Sequence, residues 1–476
     1  MRVFRVNPIM LVVALIALCS TTSTATSSSA TIIHNKNAVH QQEAFTSGIL
    51  STVAGSITDG GSTQNNIPAT DAKLSGPAGI IMGTSGNLYI SDQGGHRIMK
   101  VTTSTGLISV VAGTGVAGYS GDGGEAVNAK VDSPEGIEVD KSGNIFFADP
   151  AIHRIRKITV STGIITAVAG NGDNLYDKDN IAATSTGLSG PRDVALDSDG
   201  NVYIADTFNN RIRKVTVSTG IITTVAGNGS SIQKGIEGSV TATAYSVYRP
   251  IGIAVDKSGD FFIAMDSTNH IYKVTASTGL MTNVAGPYGS GDLVPIDPLD
   301  ADIRPSSLAI DNSGNIFMTT FDSILGWNLA TNKKTILAGS GTYTSTGEGN
   351  GKRSTMAYLS TPRGIYPDST GNFYFCDTGH NTVRKVTCDH ATPSSFTTRS
   401  PAAAPSSTTP GAPTSVITTS TSPPVTAYAS YATEAPTSAP SKCSKHSSAT
   451  SNVVGSFHLT IFLLSSLLFI QLRRDA

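Results

Sequence analysis

The chain is short of charge. Asp, Glu, Lys and Arg make up 14% of its 476 residues and the formal net charge is −1, against roughly 25% charged residues in ordinary soluble domains. No basic field exists to attract a polyanion, so nucleic acid is not an expected partner. Four cysteines are too few to staple a chain of this length, and its core cannot rest on a disulfide framework. Neither a Gly-x-Ser-x-Gly elbow, nor a phosphate loop, nor a His-Glu-x-x-His helix occurs, which removes common signatures of hydrolases, nucleotide-binding proteins and zinc proteases. Glycine, by contrast, is plentiful at 48 residues, and with abundant serine and threonine it describes a chain of many tight turns and a hydroxyl-covered surface.

Those turns recur in register. Pro77, Pro134, Pro191, Pro250, Pro305 and Pro362 stand 57, 57, 59, 55 and 57 residues apart, each followed by an alternating run such as Asp193-Val194-Ala195-Leu196 or Gly252-Ile253-Ala254-Val255. Period-2 alternation closed by Asp, Gly and Asn reads as a strand entering a hairpin. Second runs (Asn201 to Asp206 in the third copy), third runs (Arg211 to Val215) and fourth runs after Ser-Thr-Gly (Ile221 to Gly227) repeat with the same period. Four short antiparallel strands per repeat make one propeller blade. The sixth copy stops at Val386-Thr387 without a fourth strand, while Ile49 to Gly55 is a fourth-strand sequence standing alone before the first copy. The expected fold is therefore all-β, a six-bladed propeller over residues 45–390, with the orphan strand completing the last blade and leaving no open edges.

The motifs Asp92…Gly95-His96-Arg97-Ile98, Asp149…Ile152-His153-Arg154-Ile155, Asp206…Asn210-Arg211-Ile212 and Asn269-His270-Ile271, with Thr-Val-Ala-Gly and Gly121-Asp122-Gly123-Gly124, resemble the NHL repeat family. The resemblance covers about 340 residues and implies a propeller whose commonest role is interaction scaffolding. The fifth copy has no Asn-His-Arg element between Phe321 and Leu329, and rests on Pro305, Ala309 to Asp311 and Leu337-Ala338-Gly339.

The ends differ in kind. Residues 1–25 carry Arg2 and Arg5, an apolar stretch from Ile9 to Leu18 and small residues through Ala25, the pattern of a secretory signal peptide. A linker, residues 26–44, precedes the propeller. Residues 391–452 shift to Ser, Thr, Pro and Ala, a composition that cannot bury enough apolar surface to order itself and reads as an O-glycosylated stalk. Residues 453–476 end in an apolar tail from Leu459 to Leu472 followed by Arg473-Arg474. With small residues at Ser447 and Ser448 this resembles a glycosylphosphatidylinositol attachment signal; as a span of roughly 20 residues it equally reads as a single transmembrane helix with its positive end inside. Either anchor places the propeller at the cell surface, tied to the membrane. Of the three cysteines left after signal removal, a Cys376–Cys388 bridge is awkward across a hairpin, whereas Cys388–Cys443 is stereochemically accessible. Asn228-Gly229-Ser230 is the glycosylation acceptor.

Candidate chemistry is thin. His96, His153 and His270 occupy equivalent places after the second strand and invite a zinc reading, but third-strand residues lie about 9–10 Å outside the innermost strand and form too wide a ring for one ion. Asp92, Asp149, Asp206, Asp266 and Asp377 end second strands, where aspartate commonly closes turns. The loop Gly118 to Glu125 suggests calcium, yet offers only Asp122 and Glu125 as carboxylates, fewer than a hard cation wants. The innermost strands offer mainly Ile, Val, Ala and Leu. No catalytic residue or cofactor is called for. The expectation is a cell-surface binding module for an extracellular protein or glycan, using the loops Tyr119 to Ala126, Leu175 to Gly190, Ser230 to Tyr248, Tyr288 to Asp302 and Tyr343 to Tyr358. The alternatives are a metal-dependent lyase or hydrolase with its site on the axis, and a structural coat protein.

Overall fold

The computed structural model describes residues 48–388, apart from 57–64, 177, 233–235, 237, 267, 287–303 and 341–349. The signal, the stalk, Ser447, Ser448, Cys443 and the anchor segment lie outside the described residues, as does the loop from Tyr288 to Asp302.

Six antiparallel sheets follow one another along the chain. The first blade is Pro77–Met82, Leu88–Asp92, Arg97–Thr102 and Leu107–Ala112. The third is Asp193–Leu196, Val202–Asp206, Arg211–Thr216 and Ile221–Ala226, and the fifth, the copy without the motif, is Ser307–Ile310, Ile316–Thr319, Ile324–Asn328 and Lys333–Ala338. In the sixth blade the strand Gly48–Ala54 pairs antiparallel with Thr382–Cys388, placing Leu50 opposite Val386. The closure expected from the orphan strand is therefore present, and Leu50 is fully buried among Phe317, Ile365 and Val386.

Blades one, three and four have a fifth short strand that the sequence reading did not contain. Ile67–Pro68, Ile181–Ala182 and Ser239–Thr241 each pair with the fourth strand of their own blade. Two or three residues of pairing carry too little alternation to announce a strand.

The repeat encodes packing. At one level of every second strand stands a buried aromatic: Tyr89, Phe146, Tyr203, Phe262, Phe317 and Tyr374. Opposite it, five of six third strands carry lysine, as in Phe146↔Lys157 and Phe262↔Lys273. The lysine stem covers the ring while its ammonium sits 5.0 Å from the Phe146 centroid and reaches Asp140, and in the fourth blade lies 2.8 Å from Asp260. Snorkelling of this kind joins apolar cover to a solvated charge.

Consecutive blades are stitched at their entrances. His96, His153, Asn210 and Asn381 adopt the left-handed conformation, which Asn tolerates best among ordinary residues. Each accepts a hydrogen bond from the backbone N–H just before the next blade's proline: Ser133 to His96 Nδ1 at 3.2 Å, Gly190 to His153 Nδ1 at 3.1 Å, Arg249 to Asn210 Oδ1 at 3.0 Å, and Gly76 to Asn381 Oδ1 at 2.8 Å.

Candidate ligand-binding site at the propeller axis

The repeat aspartates are structural. Asp92, Asp149, Asp206 and Asp377 are fully buried, and each accepts a backbone hydrogen bond from the loop entering its own blade, from Ser75, Asp132, Ser189 and Ser360 at 2.6 to 2.8 Å. They tie down the chain 17 residues earlier, and in two blades they also hold the turn that follows, where Asp206 Oδ2 accepts from Asn209 Nδ2 and Asp377 Oδ2 meets His380 Nδ1, both at 2.9 Å. Asp266 does not belong to the set. Register places Met265 opposite Pro250, where Asp92 stands opposite Pro77, and Asp266 is a half-exposed partner of Arg249 at 3.4 Å. His270 is likewise offset by one, because Asn269 holds the left-handed position. Nothing is inserted, since Pro250, Met265 and Asn269 keep the spacing of Pro77, Asp92 and His96; the residue types alone are displaced by one inside a motif that still looks periodic. The remaining histidines, His96 and His153, serve the blade-to-blade bonds given above.

The loop that resembled a calcium site encloses a guanidinium. Arg156, fully buried, donates to Asp122 Oδ1 through Nε at 3.0 Å and through its terminal nitrogen at 2.5 Å, and to the carbonyls of Lys130 and Ser120 at 2.8 and 3.1 Å. Tyr119 lies over Arg154 at 3.9 Å and donates its hydroxyl to Asp122. The third blade repeats the arrangement, with Arg213 on Asp179 at 2.9 Å and Tyr176 over Arg211 at 3.9 Å. These loops run beside fourth strands, and two of their aromatics are spent on cations of the same protein. Asn228 is exposed, with its Nδ2 donating to Ala244 and its Oδ1 accepting from Ser230. Cys376 faces Val383 across the hairpin and is a buried free thiol, pushed far above the usual range by desolvation, while Cys388 ends the last described strand and Cys443 lies outside the described residues.

Departures from the repeat gather on the axis. The first strands surround a channel of about 240 Å³, and register sorts its lining into levels. The residues after the six prolines, Ala78, Glu135, Arg192, Ile251, Ser306 and Arg363, form the mouth. One residue deeper, four blades carry glycine, because neighbouring strands touch there: the Gly364 N–H donates to the Ala78 carbonyl and the Gly136 N–H to the Arg192 carbonyl, both within 2.9 Å. A Cβ on Gly364 would come within 2.6 Å of that carbonyl, which no side chain tolerates. At this level the third blade has Asp193 instead, and it accepts the Ile253 N–H at 2.9 Å and its neighbour Val194 at 2.9 Å. Two levels further in, among Ile81, Ala195, Ala254, Ala309 and Tyr366, stands Glu138.

The expectation of an apolar axis is thus corrected: three carboxylates and two guanidiniums line it. Desolvation pushes Asp193 and Glu138 each up to about 7, with backbone hydrogen bonds opposing, and it raises Glu135 against the pull of Arg192 and Arg363. At the mouth, Gln93 donates to Glu135 at 2.8 Å and accepts from Arg363 at 3.2 Å. Arg192 and Arg363 stand 3.9 and 3.7 Å from Glu135 and keep about a third of their side-chain surface exposed. On the same face, Phe208 is exposed in the turn after the third blade's second strand, with Arg249 over its ring at 5.6 Å. Among the described residues no three His, Cys, Asp or Glu side chains are grouped so as to hold a metal ion, and no helix is long and apolar enough to cross a membrane. The missed signal was the residue after each proline, which the strand alternation treats as a boundary.

Residues 108–179 match the family model described as Teneurin NHL domain, and residues 188–215 match that of the NHL repeat. Teneurin-3 of Mus musculus is 30% identical over 278 residues, covering 50% of this chain and 10% of that protein. NHL repeat-containing protein 2 of Homo sapiens is 26% identical over 276 residues, covering 52% of this chain and 37% of that protein. The chain thus spans only a minor part of these curated relatives. Among solved structures, an auxiliary nutrient binding protein from Bacteroides ovatus has the same fold, with a TM-score of 0.51 at 14% identity, covering 72% of this chain and 77% of that one.

Proposed function

The chain belongs to the NHL-repeat propellers, and from that premise we propose that it is a binding module, held at the cell surface on a glycosylated stalk, which takes an extracellular protein or glycan on the face that bears the channel mouth. The observation that carries this reading is the mouth itself, where Glu135, Arg192, Arg363 and Gln93 break a repeat that is otherwise strictly structural. Binding residues concentrate where a rigid scaffold presents variable positions, and half-exposed arginine beside an exposed aromatic is the composition favoured at recognition surfaces. The stalk composition and apolar tail of residues 391–476 supply the means of display. A shift from the loops expected earlier to the mouth follows from Tyr119 and Tyr176 being engaged internally.

The test is an array of extracellular proteins and glycans probed with the secreted propeller, labelled and oligomerised. Binding that disappears in an Arg192→Ala/Arg363→Ala double variant and persists in Tyr119→Ala supports the reading. Binding indifferent to the mouth, or none across the array, would overturn it.

A further inference from the structure

The axial channel carries charge of both signs at two depths. Arg192 and Arg363 stand at the mouth, and Glu138 lies three residues further along its strand, about 10 Å deeper at ~3.3 Å per residue. From this we infer that the channel takes a slender molecule with an anionic group at one end and an amine at the other, the anion held by Arg192 and Arg363 and the ammonium by Glu138. The inference deepens the binding-module reading and rests on it.

The groups concerned have capacity to spare. A guanidinium offers five donors; Arg363 gives one to Gln93 at 3.2 Å, and among the described residues the Arg192 guanidinium has only its ionic contact with Glu135 at 3.9 Å, beyond hydrogen-bond length. Charge-assisted bonds to a carboxylate are the strongest use of such donors. Deeper in, Glu138 Oε1 accepts the Val139 N–H at 2.9 Å, and Oε2 has no partner among the described residues. Asp193 has both oxygens occupied by Val194 and Ile253, so it adds negative potential without a free acceptor.

Other ligand classes fit less well. A dianion would meet Glu138 and Asp193, a diamine would meet both arginines, and a neutral molecule would leave desolvated groups at each end without partners. Between the two levels lie Gly79, Gly136, Gly252 and Gly364 with Ile80, Ile137 and Val194, Asp193 being the one carboxylate among them, and Ile81, Ala195, Ala254 and Ala309 stand beside Glu138 itself, surfaces suited to methylene groups. At about 240 Å³ the channel is smaller than the roughly 300–1,000 Å³ of drug-sized pockets, which favours a narrow chain.

Calorimetric titration of the full-length chain with 6-aminohexanoate, hexanoate and hexylamine tests this, with 4-aminobutanoate and 8-aminooctanoate as length controls. The six-carbon amino acid should bind at least about tenfold more tightly than either half-molecule and should be the best of its series. Glu138→Gln, at unchanged melting temperature, should abolish its advantage over hexanoate, and Arg192→Gln/Arg363→Gln its advantage over hexylamine. Equal affinities for all three compounds, indifference to chain length, or no heat at millimolar concentration would overturn the inference. If array binding still depends on the mouth while these titrations fail, the channel inference alone falls; if both fail, the binding-module reading falls with it.

Discussion

Replacing Arg156 by methionine should be far more costly than the loss of one ion pair at a surface. The blades themselves frame the comparison. Blades two, three and six pair a buried aspartate with an arginine on the third strand: Asp149 with Arg156 at 3.7 Å, Asp206 with Arg213 at 3.5 Å, and Asp377 with Arg384 at 3.3 Å. Where the aspartate position is Met265 or Thr320, the arginine position is Tyr272 or Leu325. The first blade alone keeps the acid, Asp92, while Met99 takes the arginine position, so that Asp92 Oδ2, like Asp149 Oδ2, is buried without a hydrogen-bond partner but lacks the ionic contact that Arg156 gives Asp149. Arg156→Met would reproduce that state in the second blade. Asp122 can turn to water, being 21% exposed, but Asp149 cannot.

Removing one partner of a buried pair costs about 3–5 kcal/mol. We expect a loss in this range at pH 8, read from urea unfolding followed by the fluorescence of Trp327, the single tryptophan, which is buried and donates to Asn332 at 3.1 Å. The loss should shrink at pH 5, since desolvation holds Asp149 at about 8 even beside Arg156 and its carboxyl is then neutral with or without the arginine. Adding Asp149→Asn should recover much of it at pH 8, since the amide oxygen can still accept the Asp132 N–H. A destabilisation below about 1 kcal/mol, the worth of an exposed pair, or one equal at both pH values, would refute the reasoning.

Four further outcomes follow. Asp92→Asn should stabilise the propeller at pH 8: an unfolded aspartate titrates near 4 and Asp92 at about 7, so the native state holds an extra proton between those values and its contribution, complete below pH 4, is lost as pH rises through 7, on the order of 4 kcal/mol at full extent. The same direction at Asp193 and Glu138 makes the wild-type chain more resistant to urea at pH 5 than at pH 8. His153→Asn should be nearly neutral because Asn210 and Asn381 fill the same role, whereas His153→Ala should cost about 1–2 kcal/mol in thermal unfolding by losing the bond to Gly190 and straining a left-handed backbone; equal effects of the two would argue for a role of the imidazole beyond stitching. Leu50→Ala should cost about 2–5 kcal/mol and expose the Thr382–Cys388 edge, seen as concentration-dependent aggregation; unchanged melting would remove closure from the account.

The fold was legible because its signals are local and repeated. A proline setting the start of each first strand, alternation, and, in five copies, an Asp-x-x-Gly turn recur every 57 residues or so, and an unmatched fourth strand at one end implies closure as soon as a missing one is noticed at the other. The fifth blade remained readable without its central motif because Ala309 to Asp311 and Leu337 to Gly339 still mark the first hairpin and the fourth strand. What the sequence concealed was pairing by shape: a two-residue strand such as Ile67–Pro68, and the single-residue offsets that remove Asp266 and His270 from sets they appear to join.

The candidate site was concealed for a different reason. Glu138 sits in Gly136-Ile137-Glu138-Val139, where alternation gives a polar residue an outward place, and in a sheet with one wet face that reading is sound. A propeller's innermost strand has no such face, since its second side looks onto the axis and five other blades. Only the register between blades places Glu138 beside Ala195 and Tyr366, and sets Arg192 and Arg363, which are 171 residues apart in sequence, on one ring around the same opening. Repetition specifies what every blade must supply to close the disc, so a ligand specific to this chain has to be read by positions that closure leaves free. Those are the residues after the prolines and the inward levels of the first strands, where Glu135, Glu138, Arg192, Asp193 and Arg363 replace the small and apolar residues of the other blades.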